Sequence, residues 1–440
     1  MGYPQYVKDT ALGIIDMMGN QLTGFAKDPA RDFTRHRKLD FKTTMLFMLT
    51  SGSGTTQHEL YQYFDYDTLT PTASAFSQQR SKFKMEAFRH LAEQINYEFS
   101  CVSYLDKYQL IACDGCDFNI ARDPTEESSY YPPNNKSTRG FNMVSVVPLY
   151  DILSKRYLDM EFKGGRKRNE PRALCDLVDR FMPSALSVIF MADRGFASYN
   201  VFAHMIENGM HFLIRAKDKT VERLLGTGSL GDVELDCEVT RILTRSSAKK
   251  YRDPDKEGMY RLVSRETPFD YLGSEPGDQY EISVRVVRVR LDEGSYENII
   301  TNLPSDEFDS LALKELYALR WEIELSFRDL KHTLGATEFR SGKLEFIEQE
   351  LWARIILYNL CTIITSRVVI EKREGLKHVY KINFSIAAKI CHKFIKVKLS
   401  RPPPDVEALI GKNLVPVRPG RKYNRQKRFR LPSSFAYRFI

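Results

Sequence analysis

YQLIACDGCDFNI (108–120) is where the sequence changes character. Upstream, apolar residues recur at helical spacing. Here they run together, as in a buried strand, and the run stops at Asp114 and Gly115. FNMVSVVPLYDI (141–152) and KRYLDMEFK (155–163) read as a second and third strand. NEPRALCDLVDRFM (169–182) reads as a helix with Pro171 in its first turn. LSVIFMADRGF (186–196) is a fourth strand, apolar until Asp193. SYNVFAHMIENG (198–209) is a helix ended by Gly209, and HFLIRAKD (211–218) is a fifth strand. Three strands, helix, strand, helix, strand predicts an α/β domain: a mixed sheet with helices on its faces.

On either side of this core the pattern differs. Residues 1–100 are expected to form an all-α N-terminal domain. LDFKTTMLFMLTSG (39–52) reads as a helix closed by Gly52, TTQHELYQYF (55–64) as a Thr-capped one, and 70–99 as a long amphipathic pattern. Gln78, Gln79, Arg80, Lys82 and Lys84 cluster there, which suits a DNA-binding helix-turn-helix, with a helical cap on the next domain as the alternative. Residues 218–297, including GDVELDCEVTRIL, YRDPDKEGMYRLVSRE and the alternating DQYEISVRVVRVRL, read as an all-β insertion. ENIITNL (297–303) is a further strand, and helices are expected at 344–372 and 383–396. The catalytic domain would thus span 101–396, with RPPP (401–404) opening a basic tail at 397–440.

A formal net charge of +8 permits a polyanionic partner. The cations gather in RDFTRHRK (31–38), GGRKR (164–168) and RPGRKYNRQKRFR (418–430), a distribution that favours nucleic-acid backbone contacts. Seven scattered cysteines, an odd number, fit a reducing cytoplasm better than a disulfide framework. Cys113 and Cys116 have no second pair to complete a zinc site, so strand packing is the better account of them. No secretory leader is apparent, and the apolar run 351–370 contains Arg354 and Arg367, which suits a buried helix rather than a membrane span.

LKELYALRWEIELSFRDLKHTLG (313–335) holds the residues that point to chemistry. Arg320, Glu324 and Lys331 lie 3, 7 and 14 residues after Tyr317, so all four fall on one stripe of an α-helix. Arg328 joins that stripe, and Leu316, Leu319, Ile323, Phe327 and Leu330 form the apolar stripe beside it. Asp114 and Asp193 each end an apolar strand. Taken singly they could be turn residues; with Glu324 they make three carboxylates that suit a hard divalent cation. No Ser-His-Asp or Cys-His grouping competes, and no Walker A loop implies a nucleotide cofactor.

The spacing Tyr317-x-x-Arg320-x-x-x-Glu324-x6-Lys331, with the strand-end aspartates, resembles the DDE transposases of bacterial insertion sequences, in the branch named for insertion sequence four. The resemblance covers about 105–370, with the N-terminal helices matched more weakly. It implies a ribonuclease H-like catalytic core with an insertion before the glutamate helix. Asp114, Asp193 and Glu324 would be the catalytic, metal-binding triad, served by Mg²⁺ with Mn²⁺ able to substitute. Tyr317, Arg320, Lys331 and Arg328 would hold DNA. The activity implied is cut-and-paste transposition: binding of terminal inverted repeats, hydrolysis at the element ends and transfer of the 3′-hydroxyls to target DNA. The partners would be double-stranded DNA and a second copy in a synaptic homodimer, in a bacterial cytoplasm at the nucleoid, with no membrane. A silent DNA-binding repressor of the same fold and a non-transposing ribonuclease H-like nuclease are the competing readings. One departure concerns base stacking by a Trp in the insertion. The only tryptophans are Trp321 and Trp352, both outside it; Trp321 reads as packing, and Tyr251, Tyr260, Tyr271 and Tyr280 are the possible substitutes.

Overall fold

The computed structural model describes residues 2–52, 54–135, 138–248, 251, 259–273, 275, 277–292, 294–370, 378–396 and 404–417. Five helices come first: α1 (Tyr3–Asn20), α2 (Phe41–Thr50), α3 (Thr56–Tyr63), α4 (Ala73–Arg80) and α5 (Glu86–Glu98). Asp40 caps α2 by accepting from the Thr43 amide at 2.7 Å, and Thr55 and Thr72 cap α3 and α4 in the same way. The amphipathic run expected at 70–99 is two helices. Between them Phe83 is fully buried, and its backbone bridges to Ala26.

The strands of the α/β core follow: β1 (Tyr108–Cys113), β2 (Cys116–Ile120), the short β3 (Tyr130–Tyr131), β4 (Phe141–Asp151) and β5 (Arg156–Gly164). Next come α6 (Glu170–Arg180), β6 (Ser187–Ala192), α7 (Tyr199–Glu207) and β7 (His211–Ala216). In space the order is β5-β4-β1-β6-β7. β4 is antiparallel to both neighbours, while β1, β6 and β7 are mutually parallel. An antiparallel trio continued by two parallel strands, reached through helical crossovers, is the ribonuclease H-like arrangement that the resemblance implied. β1 and β2 are one strand interrupted at Asp114 and Gly115, since both keep a single register on β4 (Cys113↔Leu149, Cys116↔Val146). That register places Asp114 opposite Pro148, which has no N–H to offer the ladder.

The insertion widens the same sheet. It opens on a helix, α8 (Asp218–Leu225), so it is not all-β. β8 (Leu235–Thr244), β9 (Tyr260–Leu262), β10 (Gln279–Asp292) and β11 (Ser295–Thr301) then extend the order as β7-β11-β10-β8-β9. Most of the stretch 251–258 lies outside the described residues. After it come α9 (Ser310–Ala318), α10 (Glu322–Arg328), α11 (Leu344–Ser366), β12 (Val379–Ile382), α12 (Phe384–Lys396), α13 (Val406–Gly411) and β13 (Leu414–Val417). α13 and β13 lie in the segment expected as tail, and β13 pairs with β12, so residues 406–417 are folded; 397–403 and the basic run at 418–430 lie outside the described residues.

Alternation along the strands divides the core. Leu110, Ala112, Phe118, Ile189 and Met191 face a cluster built with α1, α2, α5, α10, α11 and α12. Ile111, Cys113, Val188, Phe190 and Ala192 face α6 and α7. Cys113 and Cys116 thus lie on opposite faces and cannot share a ligand. The N-terminal helices belong to the first cluster, so residue 100 is no boundary between separate cores. Of the five residues read there as DNA-facing, Gln78 is exposed, Lys82 and Lys84 are half-buried, and two turn inward. Gln79 and Arg80 are buried, Arg80 donates to Gln349, Glu350 and the Phe346 carbonyl, Lys82 pairs with Asp32, and Lys84 donates to the Thr23 carbonyl. α11 is buried on every side, as its apolar run required. Its Asn359 amide bonds both the N–H and the C=O of Tyr157, standing in for a strand partner on β5. No helix among the described residues is long and apolar enough to cross a membrane.

Candidate active site

Asp114 and Asp193 are brought together by strand register. β1 and β6 are parallel with Cys113 beside Ala192; one residue further along, the same register sets Asp114 beside Asp193. Both continue the side of the sheet that carries Leu110, Ala112, Ile189 and Met191, the face covered by the helix of Glu324. Each carboxylate accepts from a backbone amide just after it: the Gly115 amide, where the strand is interrupted, bonds Asp114 Oδ1 at 2.8 Å, and the Gly195 amide, in the turn that follows β6, bonds Asp193 Oδ1 at 2.7 Å.

The helix expected at 313–335 is not one regular helix. It tightens to a 3₁₀ turn at Leu319–Trp321 and loosens to a π turn at Asp329–Thr333, on either side of α10. Such departures inside a helix concentrate at functional positions, and these two carry Arg320 and Lys331. Ile323 and Phe327 pin α10 to the core, which leaves Glu324 facing the strand ends.

Arg320 lies between the carboxylates. Its Nη2 donates to Glu324 Oε1 at 3.0 Å and its Nη1 reaches Asp114 Oδ2 at 3.4 Å, while its Nε is buried with no partner. The sequence assigned Arg320 to DNA; in the free chain it is spent on the acids. Burial pushes the Asp114 carboxyl up to about 6, against the pull of Arg320 and the Gly115 amide, and the charges of Asp193 and Glu324 add to the rise. The Tyr317 hydroxyl is pushed up to about 12, first by burial; its ring lies 5.7 Å from the Arg320 guanidinium. Lys331 donates to the Asp117 carbonyl at 3.0 Å and sits 4.8 Å over the Phe118 ring. Arg328 is exposed beside Asp329 and is not gathered with the others. Trp321 is 50% exposed, so it is not the packing residue that the sequence suggested.

Sequence reasoning overlooked Glu170, Asp117 and Arg168 as neighbours of this site. Glu170 packs against Gly115, and its carboxyl is raised by burial and by the charges of Asp117 and Asp193, with Arg168 opposing. Arg168 Nη1 bonds Asp117 Oδ2 at 2.8 Å. GGRKR reads as a basic run, and only the fold ties its Arg168 to Asp117, three residues beyond Asp114.

The donors present suit a hard divalent cation. They are carboxylate oxygens, and Asp114 is raised first by burial, with the charges of Asp193 and Glu324 adding to the rise. Among the described residues, however, no three acidic, His or Cys side chains are arranged to enclose an ion. Arg320 stands between Asp114 and Glu324 and would have to withdraw. The tyrosines offered for base stacking lie elsewhere. Tyr260 is on β9, six strand spacings from β1 and so about 29 Å away at roughly 4.8 Å each. Tyr271 and Tyr280 pack on each other, with Tyr280 bonded to Glu207 at 2.8 Å.

Comparison with known families bears directly on these residues. The Transposase DDE domain matches residues 106–360, more than half of the chain and all three carboxylates. The chain belongs to the DDE transposase family. Among curated relatives, the transposase InsG for insertion sequence element IS4 of Escherichia coli (strain K12) is 35% identical over 88 residues, 19% of this chain and 20% of that protein. The transposase for insertion sequence element IS421 of Escherichia coli is 26% identical over 221 residues, 47% of this chain and 57% of that protein. This DDE transposase chain therefore spans between a fifth and just over half the length of these relatives. Among solved structures, a piggyBac transposase synaptic complex with hairpin DNA aligns at TM-score 0.42 and 10% identity, over 95% of this chain and 87% of that one.

Proposed function

We propose that this chain is the transposase of a bacterial insertion sequence. It binds the terminal inverted repeats of its element, cuts DNA there by divalent-metal-dependent hydrolysis, and transfers the 3′-hydroxyl ends to target DNA in a cut-and-paste reaction. The observation that carries the reading is the register match of Asp114 with Asp193 beneath the helix that carries Glu324. These three side chains would hold Mg²⁺, or Mn²⁺ in its place. When bound, the cations supply Lewis-acid stabilisation of the attacking and leaving oxygens of a phosphodiester.

The remaining side chains have their own tasks. Arg320 has a planar fork of donors and a spare Nε, so once drawn off the acids it can grip a phosphate in two places. Lys331 adds a point charge on the same helical segment, and Arg328 an exposed one further along. The buried Tyr317 ring keeps Arg320 on the catalytic side. Cutting two ends implies a homodimeric synaptic complex at the nucleoid.

The test is cleavage of labelled duplexes bearing the element's own inverted repeat, for wild type and Glu324→Ala, with Mg²⁺ and with chelator. Nicking at the repeat boundary that disappears in the variant and in chelator supports the proposal. Tight binding without cutting in either metal would replace it with a silent DNA-binding protein, and cutting regardless of sequence with a general nuclease.

A further inference from the structure

β5 ends at Gly164, and the chain then makes a 3₁₀ turn, Gly165–Lys167, before α6. No side chain would fit at either glycine. A Cβ on Gly164 would lie 2.5 Å from the Ser128 carbonyl oxygen, and one on Gly165 would lie 2.8 Å from the Met143 carbonyl oxygen. The turn is drawn down onto those segments, and the Arg166 amide donates to the Ser128 carbonyl at 3.0 Å. Its far end is tied to the catalytic strand: Arg168 bonds the Asp117 carboxylate at 2.8 Å and Glu170 lodges against Gly115, the residue after Asp114. β5 runs in the same direction as β1 and β6, so this turn and both aspartates lie at the same end of the sheet.

A fixed turn that presents cations beside the acids is a phosphate-binding device. Asp117 and Glu170 balance Arg168. Arg166 and Lys167, on the same turn, are exposed. We propose that residues 164–168 form a preset loop that holds the phosphate backbone of duplex DNA beside the catalytic carboxylates. The inference rests on the transposase reading and names a contact within it. Backbone contacts carry no base information, so the loop positions DNA without reading its sequence. Each phosphate contact releases counterions and adds about 0.9 to the salt slope of binding.

The test is fluorescence anisotropy of the full chain with a labelled mixed-sequence duplex of about 30 base pairs, between about 50 and 200 mM KCl. An Arg166→Ala/Lys167→Ala double variant should flatten the plot of log affinity against log salt by about 2, and weaken binding near 0.1 M salt on the order of ten-fold or more. Arg166→Glu/Lys167→Glu should weaken it further. Arg265→Ala, just beyond β9 at the far edge of the sheet, should keep the wild-type slope. Thermal melting checks that each variant is folded. An unchanged slope in a folded double variant, with wild-type binding intact, overturns the loop assignment alone. Failure of wild type to bind the duplex at low salt overturns the transposase reading with it.

Discussion

Two buried arginines, one in the insertion and one in the candidate site, differ in what they leave unused. Arg285 on β10 donates through Nε and Nη2 to both oxygens of Asp236, at 2.7 Å each, and through Nη1 to the Phe308 carbonyl at 2.7 Å. Its fork is saturated, and Ser310 bonds the same carboxylate at 2.8 Å. Arg320 is similarly buried, yet it makes one bond at 3.0 Å, another at 3.4 Å, and leaves Nε without a partner. Burial works against its charge, while Tyr317, Glu324 and Asp114 hold it more firmly protonated than usual. A saturated arginine is a structural rivet. One with spare donors among crowded acids is arranged for a partner that arrives later.

That contrast can be broken by experiment. Arg285→Ala leaves the Phe308 and Leu303 carbonyls without their donor and turns the partly exposed Asp236 to water. It should cost about 3 kcal/mol of unfolding free energy in a denaturant titration. Arg320→Ala removes one bond at 3.0 Å and a longer one at 3.4 Å, so it should cost less, about 1–2 kcal/mol, while abolishing cleavage; equal losses of stability would erase the distinction. His204 sharpens the structural side. Its ring nitrogens lie 2.7 Å from Asp179 and 2.8 Å from Asp270, tying α6 and α7 to the insertion, and His204→Ala should cost about 1–2 kcal/mol without changing the salt slope of DNA binding. Glu348 tests the acids of α11. Burial raises its carboxyl to about 7, with Arg89 opposing and Glu161 adding. The native state therefore keeps a proton that the unfolded chain releases near its ordinary value of 4.5. Stability falls as pH climbs from about 4.5 to about 7 and is level above that, so Glu348→Gln should raise the melting temperature more at about pH 8 than at about pH 5. The smallest effect belongs to Trp321→Ala. Half exposed, it should change stability by under about 0.5 kcal/mol, and a larger loss would restore the packing role.

Much of the site was legible because it rests on local signals. Apolar runs that stop at Asp114 and Asp193 announce strand ends, and the fixed spacing from Tyr317 to Lys331 announces a helix edge. The order of strands and helices announced the mixed α/β sheet for the same reason, and the family resemblance supplied the ribonuclease H-like arrangement. What stayed hidden depends on distant partners. Arg80 reads as a surface cation until Gln349 and Glu350, some 270 residues later, arrive to bury it. That Arg320 bonds Asp114 in the DNA-free chain depends on β1, some 200 residues earlier, and no local spacing announces it. The 3₁₀ and π turns around α10 have no signature in residue type, because they follow from how the segment is pinned to the sheet. The insertion's joining of the core sheet through β11 and β7 is a pairing between edges that periodicity cannot assign.

The most direct measurement is Mn²⁺ binding to the DNA-free chain by titration calorimetry, for wild type, Asp193→Asn and an Asp329→Asn control. Asp193→Asn keeps the shape and removes one charge from the proposed trio. The account predicts that wild type and the control bind the ion alike and that Asp193→Asn weakens binding by about ten-fold or more, in the range seen when a metal site loses a supporting group. Equal affinity in all three proteins would contradict it, because the strand-end carboxylates would then not be where the cation sits.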